Sequence, residues 1–187
     1  MANMASVAYA IEGSENSLEE IFGVIILGTE DSHHWAEWSA CKKLGFSEEE
    51  LDDKRLGGEI DDEPTLENGV LRFYAEERWG LQDFDKLLRK KFPDINVYWI
   101  VEEPGCEVYC TNDKDGKYFS ERYRVETAQD DIYDSDYFQT EEEMYNWLDK
   151  KYGVKSEEEV EAWNADYAAT GDDCENFIYI HKFEIEE

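Results

Sequence analysis

The sequence predicts an α+β fold, an antiparallel sheet with helices largely on one face, and three observations carry that expectation. Between Val70 and Arg78, residues Val70, Arg72, Tyr74 and Glu76 alternate with Leu71, Phe73 and Ala75, the period of a half-buried strand with Leu71 and Phe73 inward. After Trp79-Gly80, Leu81, Phe84, Leu87, Leu88 and Phe92 recur at three- and four-residue steps, an apolar stripe on a helix whose Asp83, Lys86, Arg89, Lys90 and Lys91 face water. Pro93 ends that helix, because proline disfavours helical geometry in the residue before it, and the cations of the last turn suit the negative end of the helix dipole. Beyond it, Ile95 to Glu103, Cys106 to Asn112 and Lys117 to Thr127 read as strands. Pro104-Gly105 and a hairpin loop at Asp113 to Gly116 separate them, so the three form an antiparallel meander.

The remaining elements follow in chain order. Ser6 to Glu12 is a first strand. Ser17 caps a helix with Glu20 as its capping-box partner, and Leu18, Ile21, Phe22 and Ile25 form its apolar stripe; Val24 to Leu27 suits either the end of this helix or a short buried strand. His33 to Leu44 is a second helix with Trp35, Trp38 and Cys41 on one side, and Ser47 opens a helical turn around Leu51. Residues 57–68 read as an edge strand leading to a hairpin at Asn68-Gly69. Thr140 with Glu143 caps a helix burying Met144, Trp147 and Leu148, and Gly153 closes it. Ser156 with Glu159 opens another, with Val160, Trp163 and Tyr167 together. Phe177 to Ile185 is a last strand whose Phe177, Tyr179, His181, Phe183 and Ile185 make one strongly apolar face. The expected organisation is a single domain of 187 residues, a core over 1–127 and an acidic helix-helix-strand extension over 128–187 packed on it.

Charge limits the partners. Forty-eight acidic against 18 basic side chains give a net charge of −30, where a small domain carries a magnitude of about 2 to 8. Such a surface repels nucleic acid and anionic lipid and attracts a basic partner. With 14% aromatic residues the chain still has the means to build a core. Residues 1–12 lack the basic and long apolar segments of a secretory signal, and Gly23 to Gly28, the longest apolar run, falls far short of the ~20 residues of a membrane helix. The expected compartment is the cytoplasm, with reduced thiols.

The order strand, helix, two strands, helix, strands is close to the split β-α-β plan. Over residues 5–127 the chain resembles the YubB-like, ferredoxin-like domain family encoded largely on bacterial mobile elements. The features are the N-terminal strand and helix, the aromatic strand Leu71-Arg-Phe-Tyr-Ala-Glu-Glu-Arg-Trp79, Leu88 to Phe92-Pro93, and the strand Tyr98 to Gly105 with its Glu-Glu-Pro-Gly turn. Gly80-Leu81 departs from the family's proline-rich turn at the helix entry. The resemblance implies a ferredoxin-like sheet and mobile-element residence, and little about function, because the family is essentially uncharacterised.

Chemistry-bearing residues do not assemble into a known motif. Cys106 and Cys110 share a strand face but stand about 13 Å apart, too far for one tetrahedral metal, and Cys41 and Cys174 have no partner at ligand spacing. Thr111 to Gly116 has the look of a calcium loop, yet its twelfth position is Arg122 where a bidentate Glu is needed. His33, His34 and His181 lack a nucleophile context, and among so many carboxylates a close pair carries no information. No catalytic residue, cofactor or metal is expected. Phe73, Trp79, Tyr98 and Trp99 are assigned to packing.

The acidic surface remains. Residues 126–149 hold nine acidic side chains and no basic one. Its plainest role is solubility; the sharper one is partner binding through Asp130, Asp131, Asp134, Asp136, Glu141, Glu142 and Glu143, with Tyr133, Tyr137 and Phe138 set among them. The expected function is a non-enzymatic interaction module with a basic protein as partner. Its alternatives are a phosphate-mimicking decoy, in which carboxylates at 126–149 and 157–175 occupy the basic groove of a nucleic-acid-binding protein, and an enzyme of unknown class. All of this supposes that the excess carboxylates coat the outside of the fold.

Overall fold

The computed structural model describes residues 3–54, 56–60, 63–78, 80–81, 83–170 and 176–186. Trp79, Cys174 and Glu175, and the side chain of Tyr167, lie outside the described set. The protein is of mixed α+β class, and its chain divides into two compact units, residues 1–114 with 185–187, and residues 115–184.

In the first unit, β1 (Met4–Glu12) pairs antiparallel on one side with β4 (Val70–Arg78) and on the other with β5 (Asn96–Glu103). Strands β2 (Gly58–Ile60) and β3 (Thr65–Glu67) both lie against β4, and β6 (Val108–Thr111) lies against β5. Because β1 is central it is apolar on both faces: Val7, Tyr9 and Ile11 are buried on one, and Ala8 and Ala10 on the other. The hairpin between β3 and β4 turns at Asn68-Gly69, both with positive φ (52° and 75°), as the right-handed twist of paired strands requires.

The Tyr9 side of the sheet shares one apolar cluster with residues of α1 (Glu15–Thr29), α2 (Ala36–Lys43), α3 (Glu48–Lys54) and α4 (Phe84–Lys91). Tyr9 stacks on Phe73 with ring centroids 4.8 Å apart, and Phe84 meets both rings edge-on at 6.1 Å. Burying each such side chain stabilises the fold by about 1.5 to 3 kcal/mol. Phe73 and Trp99 pack as expected. Helix α1 is capped one turn earlier than expected, by Ser14, whose Oγ accepts from the Ser17 N–H, and it continues through Val24 to Leu27. Asp94 reinforces that start by accepting from the Ser17 hydroxyl. In α2 Ala36, Glu37, Ser39, Ala40 and Cys41 are buried, while Trp35 and Trp38 are half-buried, with Trp38 packed against the edge of the core.

The meander stops at β6. Tyr123 to Thr127 does not join it: β7 (Tyr123–Gln129) is the middle strand of a second antiparallel sheet, between β8 (Ile132–Phe138) and β9 (Phe177–Lys182). Residues 113–116 therefore make no hairpin; there the chain leaves the first unit for the second. The second unit has its own core, in which Val125 and Ile178 from the sheet meet Met144 and Leu148 of α5 (Glu141–Tyr152) and Val160 of α6 (Glu157–Thr170). Both helix starts are as the sequence predicts. Thr140 accepts from the Glu143 N–H and Ser156 from the Glu159 N–H, and Gly153 closes α5 at φ 73°. The last strand breaks at Phe183, leaving the short β10 (Glu184–Ile185). Ile178 is the buried apolar residue of β9 and Tyr179 is exposed, whereas Phe183 is buried, so the expected apolar face is open only around Tyr179.

Candidate functional site

The two strand registers of the second unit place side chains of its open face in three rows. Tyr133, Ala128 and Phe177 form the first, Ser135, Glu126 and Tyr179 the second, and Tyr137, Arg124 and His181 the third. Residues directly opposite in an antiparallel pair share a face, and the neighbours along each strand turn to the other side. That other side carries Val125 and Ile178 into the core, so the rows of Tyr133 and Tyr179 are the unpacked ones. Tyr133, Tyr137 and Tyr179 are 61%, 45% and 54% exposed, well above what a packing role allows. Phe177 stacks on Tyr179 at 4.6 Å and meets Tyr133 at 6.1 Å.

The expected partner-binding residues separate on this geometry. Tyr133 and Tyr137 stand on the open face, whereas Asp134, one residue after Tyr133, and Asp136, one residue before Tyr137, belong to the opposite side of β8. Asp130 and Asp131 form the β7–β8 turn, with φ of 51° and 62°, a conformation that Asp tolerates better than most residues. Glu141, Glu142 and Glu143 occupy the exposed first turn of α5, where the helix dipole favours them. Phe138 is buried and packs on Trp147, so it takes no part in the surface. Phe177 and Tyr179 were missed because both phases of β9 are apolar, and alternation does not say which phase meets the helices.

Electrostatics on the face is local. Glu126, at its centre, accepts from Arg124 at 2.6 Å and lies 3.4 Å from His181 Nε2, while Arg124 stands 5.7 Å over the Tyr137 ring. The Lys151 ammonium pairs with Asp134, holding that carboxyl below its usual range, and lies over Trp147 at 4.6 Å.

The first unit carries a second feature, a groove of about 1430 Å³ bordered by α2, α3 and Arg78. On its wall Asp31 accepts from the Ser39 hydroxyl at 2.5 Å and from the His33 N–H at 2.9 Å, bonds that hold its carboxyl well below the usual range. His34 Nδ1 reaches the same carboxylate at 3.3 Å, and its ring stacks on Trp38 at 4.5 Å. The carboxylate thus lies between serine and imidazole, whereas activating a serine needs the imidazole in the middle. Arg78 covers Trp35 at 4.8 Å.

Beneath the sheet, carboxyl groups enter the core, against the expectation that they all coat the outside. Glu37 and Glu77 are 0% exposed and Asp85 is 1% exposed. Glu77 continues the inward phase of Leu71, Phe73 and Ala75, so its burial was legible in the alternation. Tyr9 donates its hydroxyl to Glu77 at 2.5 Å. Burial, then the neighbouring Glu77, pushes the Glu37 carboxyl well above its ordinary value. Burial likewise raises Asp85, against the opposing pull of Arg89. Cys41 is buried and its thiol pushed up, Cys110 is buried, and Cys106 is exposed on the turn after β5 rather than on a strand with Cys110. Among the described residues no cluster of His, Cys, Asp and Glu has the geometry to hold a metal ion, and no helix is long and apolar enough to cross a membrane. Comparison with protein-family models, with curated proteins and with solved structures finds no match to this chain.

Proposed function

We propose that the protein is a cytoplasmic, non-enzymatic interaction module, and that a basic protein binds the open sheet face of its second unit. The observation that carries this reading is the set Tyr133, Tyr137 and Tyr179, left to solvent on one face of the sheet, with the half-buried Phe177 beside them. Exposed Tyr with a nearby Arg is the composition of interface anchors, since these residues bury much area at little conformational cost. Residues 115–184 hold twenty acidic and seven basic side chains, a net charge of −13 that steers a cationic partner in and turns nucleic acid away.

For the first unit, the strand order β5-β1-β4-β2 supports a ferredoxin-like chain path, and with it the resemblance to the YubB-like family.

A defined arginine- and lysine-rich peptide tests the proposal, titrated by calorimetry into the wild type and into a Tyr133→Ala, Tyr137→Ala, Tyr179→Ala variant of the same net charge. Aromatic anchoring predicts at least ~10-fold weaker binding by the variant. Equal affinities, or no binding to the wild type at low salt, refute it. A salt series on the same pair addresses phosphate mimicry, which requires affinity to fall steeply as ionic strength rises.

A further inference from the structure

We propose that the exposed end of this face is a site for an arginine side chain of the partner, seated on Phe177 and Tyr179 and reaching Glu126. The proposal rests on the interaction reading above and names the group that is recognised. A depression of about 430 Å³ lies on the Tyr133 side of this seat, lined by Tyr133, Phe177, Glu126 and Ser135 together with Thr127 and Asp134 of the strand edges. In register, Ala128, fully buried and the smallest side chain of the face, stands opposite both Tyr133 and Phe177. The Tyr133 and Phe177 rings are 6.1 Å apart and tilted by 59°; they touch each other, leaving no space for a cation between them and offering one shared aromatic wall. A planar guanidinium suits such a wall, because it stacks flat while directing its N–H groups along the edge.

The unit already uses this chemistry within itself. Arg124 lies over Tyr137 and bonds Glu126; Lys151 lies over Trp147 and pairs with Asp134. In each case a cation is held between an aromatic face and a carboxylate. The stacked pair of Phe177 and Tyr179 carries no cation over its rings among the described residues, yet Glu126 is the residue opposite Tyr179. Glu126 keeps 30% of its side chain exposed, and a carboxylate has acceptor sites for more than the Arg124 bond and the His181 contact. A partner's arginine completes the third instance of the pattern.

Citrulline, which has the shape of arginine without its charge, provides the test. The basic peptide is titrated into the intact protein with each arginine replaced in turn by citrulline or lysine, and into Phe177→Leu and Tyr179→Leu, which keep apolar bulk and lose the ring. Amide NMR shifts of Ser135, Phe177 and Tyr179 report the site, and dispersion of the remaining spectrum reports folding. The expected result is about tenfold weaker binding for citrulline at one position and for either leucine variant, with lysine in between. Peptide binding that is unchanged in both folded leucine variants overturns the site while leaving the interaction module standing. Absence of any peptide binding overturns both. Lysine equal to arginine at every position overturns the guanidinium assignment.

Discussion

The carboxyl groups of Glu37 and Glu77 come within hydrogen-bonding reach of each other in the core of the first unit, both fully buried. Among the described residues no N–H or hydroxyl donor reaches either oxygen of Glu37. Burial, then the neighbouring Glu77, favours the protonated form of Glu37, while Glu77 accepts from Tyr9. Two ionised carboxylates in this position would repel in a medium that screens them weakly, so one of them stays neutral.

Proton retention makes stability depend on pH with a definite sign. Glu37 titrates higher in the native state than its ordinary 4.5, so the native state holds the proton more tightly. Its contribution is fully present below that value and is lost as pH rises through the native pKa. Asp85 is shifted the same way, and Tyr9 only at higher pH. Glu37→Gln keeps a donor toward Glu77 and cannot ionise. Urea midpoints at pH 5, 7 and 8.5 should show the variant gaining on the wild type as pH rises; parallel profiles would disprove the retained proton.

Gly58 is the second check on the same corner. A Cβ there would lie 2.3 Å from the Glu37 carboxyl, which is walled in and has nowhere to swing. Gly58→Ala should cost about 1 to 3 kcal/mol, and Glu37→Ala in the same chain should recover part of it. Strict additivity in the double-mutant cycle would mean that the two residues do not meet.

Asp31 bears the opposite sign. The Ser39 hydroxyl, then the His33 N–H, lower its pKa from the ordinary 3.8, so its stabilisation is present above that value and fades as pH falls through the native one. Carboxyl carbon NMR should find Asp31 titrating below 3.8 in the wild type and markedly higher in Ser39→Ala. An unmoved titration in the variant would rule out the hydroxyl as the main cause.

Separate cores imply separate responses. Phe73 is 2% exposed in the first cluster and Leu148 is 0% exposed in the second. Phe73→Ala should cost about 3 to 5 kcal/mol and Leu148→Ala about 2 to 5 kcal/mol. Hydrogen exchange read locally should accelerate first at Tyr9 and Leu71 in the one, and at Val125 and Ile178 in the other. Equal acceleration everywhere in both variants would contradict the division.

Local signals were well written in the chain. Capping side chains at Thr140 and Ser156, the Asn68-Gly69 turn and the stripe of α4 are interactions within a few residues, and each stands where its residues predict. Errors gathered where partners are distant. Tyr123 to Gln129 has the same strand character whether it follows β6 or joins β8 and β9, because pairing partners leave no mark on a strand's own composition. The candidate site shows the same limit: Tyr133 and Tyr137 were identified from their acidic setting, but Phe177 lies 44 residues beyond Tyr133 and only the register sets their rings 6.1 Å apart.

By itself, then, the sequence determined the α+β class, most helix and turn positions, and a surface charge that favours basic partners, since these follow from periodicity, backbone preference and composition. Only the tertiary structure decided which face of β9 is open, that β7 begins a second sheet, and that Glu37 and Asp85 lie inside. The reason is physical: burial depends on what packs against a residue, and a carboxylate reads alike in a sequence whether water or another carboxyl group stands beside it.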